Sequence, residues 1–378
     1  MSKLFLQAIV LWCVLQMSSA VLAQENTATI ASKVFNQDYL FDDTLLIKTK
    51  DGAEISALLV RKKSQNSALP SILQFTVYAR NDDRDLLGLK EIVDHGYVGI
   101  IAYTRGVYRS KDAIVPYEHD ANDAYAVIDW ISQQAWSNGS VAMMGGSYGG
   151  FTQWAAAKTL HPALKTIVPM VAGGPGFGLP MENNIFVTPN YEWAFHVTNK
   201  KTMDPSVYDN HARERFRAMR TTWWESGQAY RSLDKIDGQA NPLLQKWLSH
   251  PNYDAYWQSM VPYQKEFAQI TIPVLAIDGY YNDSQASSLY YLNERARYVP
   301  HAENYLIIGP YSHFGAQRGG DKTVYGVENH PNALFDYKKI IFEWFDYVLK
   351  NGAKPSVLKD RINYFVVEEN QWRSAPSI

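Results

Sequence analysis

The sequence is nearly without cysteine. Its one thiol, Cys13 among 378 residues, lies in an N-terminal apolar stretch expected to be removed, so the mature chain is expected to hold none. That excludes disulfides, cysteine nucleophiles and cysteine-ligated metal sites. An excess of charge of one sign is also missing: 36 basic residues stand against 38 acidic ones, for a net charge of −2. No basic run is available to grip a phosphate backbone, and a nucleic-acid partner is not expected. Long apolar runs are absent after the N-terminus, where none approaches the ~20 residues that cross a bilayer. Internal repeats and low-complexity tracts are absent too. What is present is a globular composition, 46% apolar and 20% charged, able to bury a large core. Aromatics make up 13%, including 25 Tyr and 11 Trp. Most will pack the core, and some can line a pocket.

The N-terminus reads as an export signal. Lys3 precedes an apolar run from Leu4 to Leu15, followed by the small residues of Ser18-Ser19-Ala20-Val21-Leu22-Ala23. Cleavage after Ala23 would leave Gln24 first in the mature chain. Leu11 and Trp12, beside Cys13, are too bulky for a lipoprotein cleavage box. The expected destination is the periplasm or the exterior, with no membrane association after cleavage.

Downstream, the pattern alternates between strand and helix. Residues 44–63 alternate apolar and polar around Asp51-Gly52, a hairpin signal. Ser71–Val77 and Val98–Ala102 read as buried strands, with Leu86–His95 a helix between them. Ala121, Ala124, Tyr125, Ile128 and Ile131 recur at helical spacing. Asn138-Gly139 reads as a turn, Ser140–Met144 as a strand, Gly149–Leu160 as a helix and Thr166–Val171 as a strand. The alternation resumes with Ile272–Ile277 (strand), Ser284–Arg297 (helix), Glu303–Ile308 (strand) and Ala333–Leu349 (helix). This predicts an α/β fold with a mostly parallel, doubly wound sheet. Residues 178–268 break the alternation with aromatics, charges and helix-like stretches such as His211–Ser226, and read as a helical cap over the sheet's C-terminal edge. The expected division is a leader (1–23), a first half of the core (24–177), the cap (178–268), a second half of the core (269–352), and a β segment (353–378).

The chemistry centres on Gly145-Gly146-Ser147-Tyr148-Gly149. It is a Gly-x-Ser-x-Gly motif in the context that gives it meaning, strand before and helix after. A serine there sits on a sharp turn that lifts its hydroxyl above the sheet. Side chains at Gly145 and Gly149 are expected to collide with the neighbouring strand and helix. A serine nucleophile needs a base, and the base an orienting group. In this architecture the order along the chain is Ser, acid, His, each just past a strand. His313 directly follows the strand Glu303–Ile308, whereas His301 precedes it and His330 lies well beyond. Past Ile272–Ile277 the candidates are Asp278 and Asp283. Asp278 is close to the strand end, so Asp283 is the expected acid.

These segments resemble the family of cocaine esterase, α-amino-acid ester hydrolase, glutaryl-cephalosporin acylase and Xaa-Pro dipeptidyl peptidase. The resemblance lies in Asp129-Trp130-Ile131 through Trp136-Ser137-Asn138-Gly139 and in GGSYGGFTQWAAA from Gly145 to Ala157. It continues in Trp247-Leu248, His250-Pro251, Tyr253 to Trp257, Ile272 to Leu275 and Ile308 to His313. It implies an α/β-hydrolase core, a helical cap and a C-terminal jelly roll. It also implies an oxyanion hole made from the Tyr148 N–H and the Tyr78 hydroxyl, the latter in Thr76-Val77-Tyr78-Ala79-Arg80. No metal or organic cofactor is implied.

Three departures stand out. Where the family reads Gly-x-x-Asp, this chain reads Gly279-Tyr280-Tyr281-Asn282, so its acid position falls on Asn282 with Asp283 one residue later. The acidic residues that hold a substrate ammonium in α-amino-acid ester hydrolases are replaced by Ser284 and Gln285. The jelly roll expected to begin after Arg361–Val367 has little room before Ile378. The expectation is an exported serine hydrolase acting on small esters, amides or short peptides, with a homo-oligomer possible. The alternatives are an Xaa-Pro or other dipeptidyl peptidase, and a catalytically weak binding protein.

Overall fold

The computed structural model describes residue 27 and residues 29–377. The proposed leader and Cys13 lie outside the described residues. The core is one ten-stranded sheet. Its first five strands are β1 (Tyr39–Lys48), β2 (Glu54–Lys62), β3 (Leu69–Thr76), β4 (Val98–Tyr103) and β5 (Ser137–Gly146). The rest are β6 (Leu164–Met170), β7 (Val274–Tyr281), β8 (Asn304–Ser312), β9 (Ile362–Val366) and β10 (Gln371–Ala375). Across the sheet they run β1-β2-β4-β3-β5-β6-β7-β8-β9-β10. The strands from β4 to β9 pair in parallel, and antiparallel pairs close both edges.

Strand alternation builds two cores, one on each face. Val274 and Ala276 join the larger cluster, while Leu275 and Ile277 between them join the smaller. Leu306 and Ile308 are divided from Ile307 in the same way. Helices α1 (Arg84–Asp94), α2 (Asp120–Ser132) and α3 (Tyr148–Thr159) belong to the first half of the chain. Helices α6 (Gln285–Tyr298) and α7 (Tyr337–Lys350) belong to the second. Every residue of α3 from Tyr148 to Ala157 is buried, as suits a helix apolar on all sides. Its polar members are satisfied. Gln153 Nε2 donates to the Gly145 and Gly149 carbonyls, and its Oε1 accepts from the Val168 N–H at 2.8 Å.

Between β6 and β7 the chain leaves the sheet. This excursion includes α4 (Asn190–Thr198), α5 (Asn210–Ser226) and several shorter helices. Among the described residues, no helix is long and apolar enough to cross a membrane.

Two local expectations change. Asn138-Gly139 is not a turn between elements but an irregularity inside β5. Leu69 pairs with Ser137 and Ser71 with Val141, so β5 carries extra residues, and Gly139 takes φ 80°. A positive φ is common to turns and bulges, and the parallel pairing on either side decides for the bulge. At the C-terminus, Ile362–Val366 and Gln371–Ala375 do not open a separate β layer. They extend the main sheet, β9 parallel to β8 and β10 antiparallel to β9.

Candidate active site

Ser147 joins β5 to α3 with φ 58° and ψ −116°, a conformation that costs a non-glycine residue free energy and persists only where its surroundings impose it. Here they do. Its N–H donates to the Met170 carbonyl at 2.9 Å, and its carbonyl accepts from Gly150, Phe151 and Gly173. Gly145 takes φ 152°, and a Cβ there would lie 3.3 Å from the Gly149 Cα. The collision expected at Gly149 does not occur: the nearest atom to a Cβ is 3.8 Å away. The crowded position is Gly150, where a Cβ would come within 2.8 Å of the Ala172 Cα and the Met170 carbonyl oxygen. The helix meets the end of β6 one residue further along than the motif implies.

Tyr78 follows β3, the neighbour of β5. Its hydroxyl accepts from the Trp193 indole N–H at 2.9 Å, which leaves its own proton free to be donated. Burial pushes the phenol's pKa up, and hydrogen bonding to Trp193 and Ser147 partly offsets this. The group therefore stays a donor at neutral pH. The Tyr148 N–H is the first of α3 and has no partner within the helix by geometry. The Tyr148 ring is buried, and its hydroxyl donates to Asp120 Oδ2 at 2.9 Å. Trp193 stacks on Tyr117 and Tyr148 with centroids 5.6 and 5.9 Å away, which ties α4, from the excursion between β6 and β7, to the turn at Ser147.

His313 follows β8. Its Nδ1 lies 2.7 Å from Asn282 Oδ1 and 3.2 Å from Asp283 Oδ1. Both residues offered by the sequence thus sit beside the imidazole, the amide closer. Asn282 is buried, whereas the Asp283 side chain is 63% exposed. The hydrogen bond to His313 holds the Asp283 carboxyl below its ordinary pKa. Asp278 is not at the strand end: β7 runs on to Tyr281, and Asp278 is wholly buried within it.

Ser147, Tyr78, Asp283, His313, Trp193 and His196 line one cavity of about 1230 Å³. Of His301, His313 and His330, only His313 lines it. Among the described residues no hydrogen bond joins the Ser147 hydroxyl to the imidazole. Catalytic hydrogen bonds often tighten only once substrate is bound. The aromatics of the excursion between β6 and β7 divide. Trp193 faces the cavity, Tyr191 is buried with its hydroxyl on Asp237 at 2.8 Å, and Trp223 and Trp224 line a separate pocket of about 340 Å³. The Trp193 contact carries no local sequence mark, because the two partners are 115 positions apart. Among the described residues no group of three or more His, Asp or Glu side chains is placed to hold a metal.

The model of a family described as X-Pro dipeptidyl-peptidase (S15 family) matches residues 51–315. Cocaine esterase from Rhodococcus sp. (strain MB1 Bresler) is 25% identical over 359 aligned residues, covering 89% of this chain and 60% of that protein. The chain thus spans about 60% of the length of the curated relatives it matches. Among solved structures, an aminopeptidase from a marine sediment archaeon, Thaumarchaeota archaeon, superposes with a TM-score of 0.72 at 21% identity, covering 91% of this chain and 59% of that one. An α-amino acid ester hydrolase superposes with a TM-score of 0.66 at 24% identity, covering 90% and 59%. These likenesses show a shared α/β-hydrolase fold.

Proposed function

The chain belongs to the X-Pro dipeptidyl-peptidase (S15) family, and from that premise we propose that it is an exported serine hydrolase cleaving an ester or amide bond through an acyl-enzyme intermediate. One observation carries the reading: a strained serine, a half-buried phenol donor and an anchored imidazole face the same cavity. In the first half-reaction the Ser147 oxygen bonds to the substrate carbonyl carbon while its proton passes to His313 Nε2. The carbonyl π pair moves onto oxygen, where the Tyr78 hydroxyl and the Tyr148 N–H receive the charge. Collapse breaks the bond to the leaving group, which takes the proton from His313. Water repeats the sequence on the acyl-enzyme, giving up a proton to His313 and releasing the acid and free Ser147. Substrates are small esters, amides or short peptides entering beneath the cap.

Hydrolysis of p-nitrophenyl acetate and butyrate, before and after a serine-directed phosphonate, tests this. Turnover should vanish in Ser147→Ala, and turnover unchanged in that variant defeats the proposal. The family match also favours a second reading, a peptidase releasing Xaa-Pro dipeptides. Faster cleavage of an Ala-Pro anilide than of either ester would select it. Export rests on Lys3, the Leu4–Leu15 run and the small residues ending at Ala23. Sequencing the exported product from Gln24 onward is the expected result.

A further inference from the structure

The imidazole of His313 is anchored through a chain of groups that leads back into the sheet. Of its two neighbours at Nδ1, Asp283 is mostly exposed and Asn282 is buried with both polar atoms engaged. Asn282 Nδ2 donates to Asp278 Oδ1 at 2.7 Å and to Ser284 Oγ at 3.1 Å. Asn282 Oδ1 accepts from the Ser284 N–H at 3.2 Å and faces His313 Nδ1 at 2.7 Å.

A side-chain amide can turn over, exchanging oxygen for NH2. Asp278 opposes that here. Its Oδ1 also accepts from the Gly279 N–H at 2.6 Å, so it is an acceptor for two donors. A turned amide would set oxygen against oxygen. Burial pushes the Asp278 pKa up, partly offset by hydrogen bonds from Ser288, Gly279 and Asn282. Because Oδ1 holds the N–H bonds, a proton taken up by this carboxyl goes to Oδ2 and leaves that role intact. With the amide fixed, Asn282 presents only an acceptor to His313. The ring must then carry its proton on Nδ1, which leaves Nε2 free to accept one from serine.

We infer that Asp278 is a positioning residue, fixing the orientation and tautomer of His313 through the Asn282 amide. The inference rests on His313 being the base of the proposed hydrolase, and its test does not depend on turnover alone. Nitrogen NMR of the whole chain with ¹⁵N-labelled histidine, assigned with His313→Ala, reads the tautomer directly. The wild-type protein should show the Nδ1–H form. Asp278→Leu, checked for folding by circular dichroism, should show a mixture. Its kcat should fall about tenfold to a hundredfold, the scale for losing a group that orients a histidine from behind, with KM within twofold. Asp278→Asn, which keeps an acceptor oxygen, should restore most of the loss.

Adding Asn282→Asp to Asp278→Leu should also restore the tautomer, since a carboxylate has no wrong way round. If Asp278→Leu does not fold, Asp278→Ala takes its place in both comparisons. An undiminished Nδ1–H form without Asp278 overturns the inference and gives the role to Asp283. So does a loss of turnover with the tautomer intact, or a loss that Asn282→Asp does not repair. A wild-type Nδ1–H form that depends on Asp278, in a protein that hydrolyses none of the esters or anilides, supports the inference and defeats the hydrolase reading instead.

Discussion

At the scale of single residues, the proposed oxyanion donors and the groups beside the His313 imidazole make separable demands. The Tyr78 phenol offers one proton, and its oxygen is already held by Trp193. Removing one such donor from an oxyanion site costs about 3 kcal/mol of transition-state stabilisation. Tyr78→Phe should therefore lower kcat by about 10²–10³-fold with KM little changed. An equal change in KM with kcat preserved would place the phenol in substrate binding only. The two residues at Nδ1 should also behave differently. The Asp283 side chain is exposed, and even against the imidazolium formed during turnover an exposed ion pair contributes only about 0.2–1 kcal/mol, so Asp283→Asn should cost only a few-fold in kcat. Asn282→Ala removes the buried acceptor at 2.7 Å. Misorienting such an imidazole costs up to ~10⁴ in turnover, and the loss should be at least ten times larger than for Asp283→Asn. Steady-state kinetics on one p-nitrophenyl ester orders the two variants, and the reverse order makes Asp283 the main anchor.

At the scale of the element, the elbow depends on how closely α3 approaches β6. A Cβ at Gly150 would meet backbone atoms of Met170 and Ala172 at 2.8 Å, and backbone cannot swing aside as a side chain can. Overpacking of this kind typically costs about 1–3 kcal/mol, and Gly150→Ala should lower the unfolding free energy by that much. At Gly149 a Cβ meets nothing closer than 3.8 Å, and alanine is better in a helix by about 0.5–1 kcal/mol. Gly149→Ala should leave stability equal or slightly raised. Urea unfolding of the two variants separates these outcomes, and equal destabilisation would show that the helix start does not sit as described. The strand–elbow–helix unit itself is legible in the sequence, because a run of β-branched and apolar residues, a glycine-flanked serine and an apolar helix are all local signals. Which glycine is tight is not local. It depends on where β6 ends, a strand that Ser147 meets only after the chain has crossed over.

At the scale of the whole molecule, the same distinction separates what can be read from what cannot. The parallel α/β order follows from alternating periods, and the order Ser147, Asn282 or Asp283, His313 follows from each residue lying past a strand. The Asn138-Gly139 bulge and the joining of β9 and β10 to the main sheet depend on partners far away in the chain. So does the ionic network that runs from buried Asp123 out to exposed Asp51. There Arg105 pairs with Asp123 at 2.6 Å and with Asp51 of the β1–β2 turn at 3.0 Å. Asp120, at the start of α2, accepts from Tyr148. Burial, with Asp123 close by, pushes the Asp120 pKa up to about 8. The folded protein therefore keeps this proton to higher pH than the unfolded chain does. The stability it contributes is fully present below the ordinary value of 3.8 and is lost as pH rises through about 8. The loss runs at up to about 1.4 kcal/mol per pH unit. Asp120→Asn keeps an acceptor for Tyr148 and removes the titration. Its stability relative to the wild-type protein should climb as pH rises toward 8 and level off above it. Urea midpoints for both proteins from pH 5 to 9 measure the difference, and parallel curves across that range would show that Asp120 already ionises in the ordinary carboxylate range.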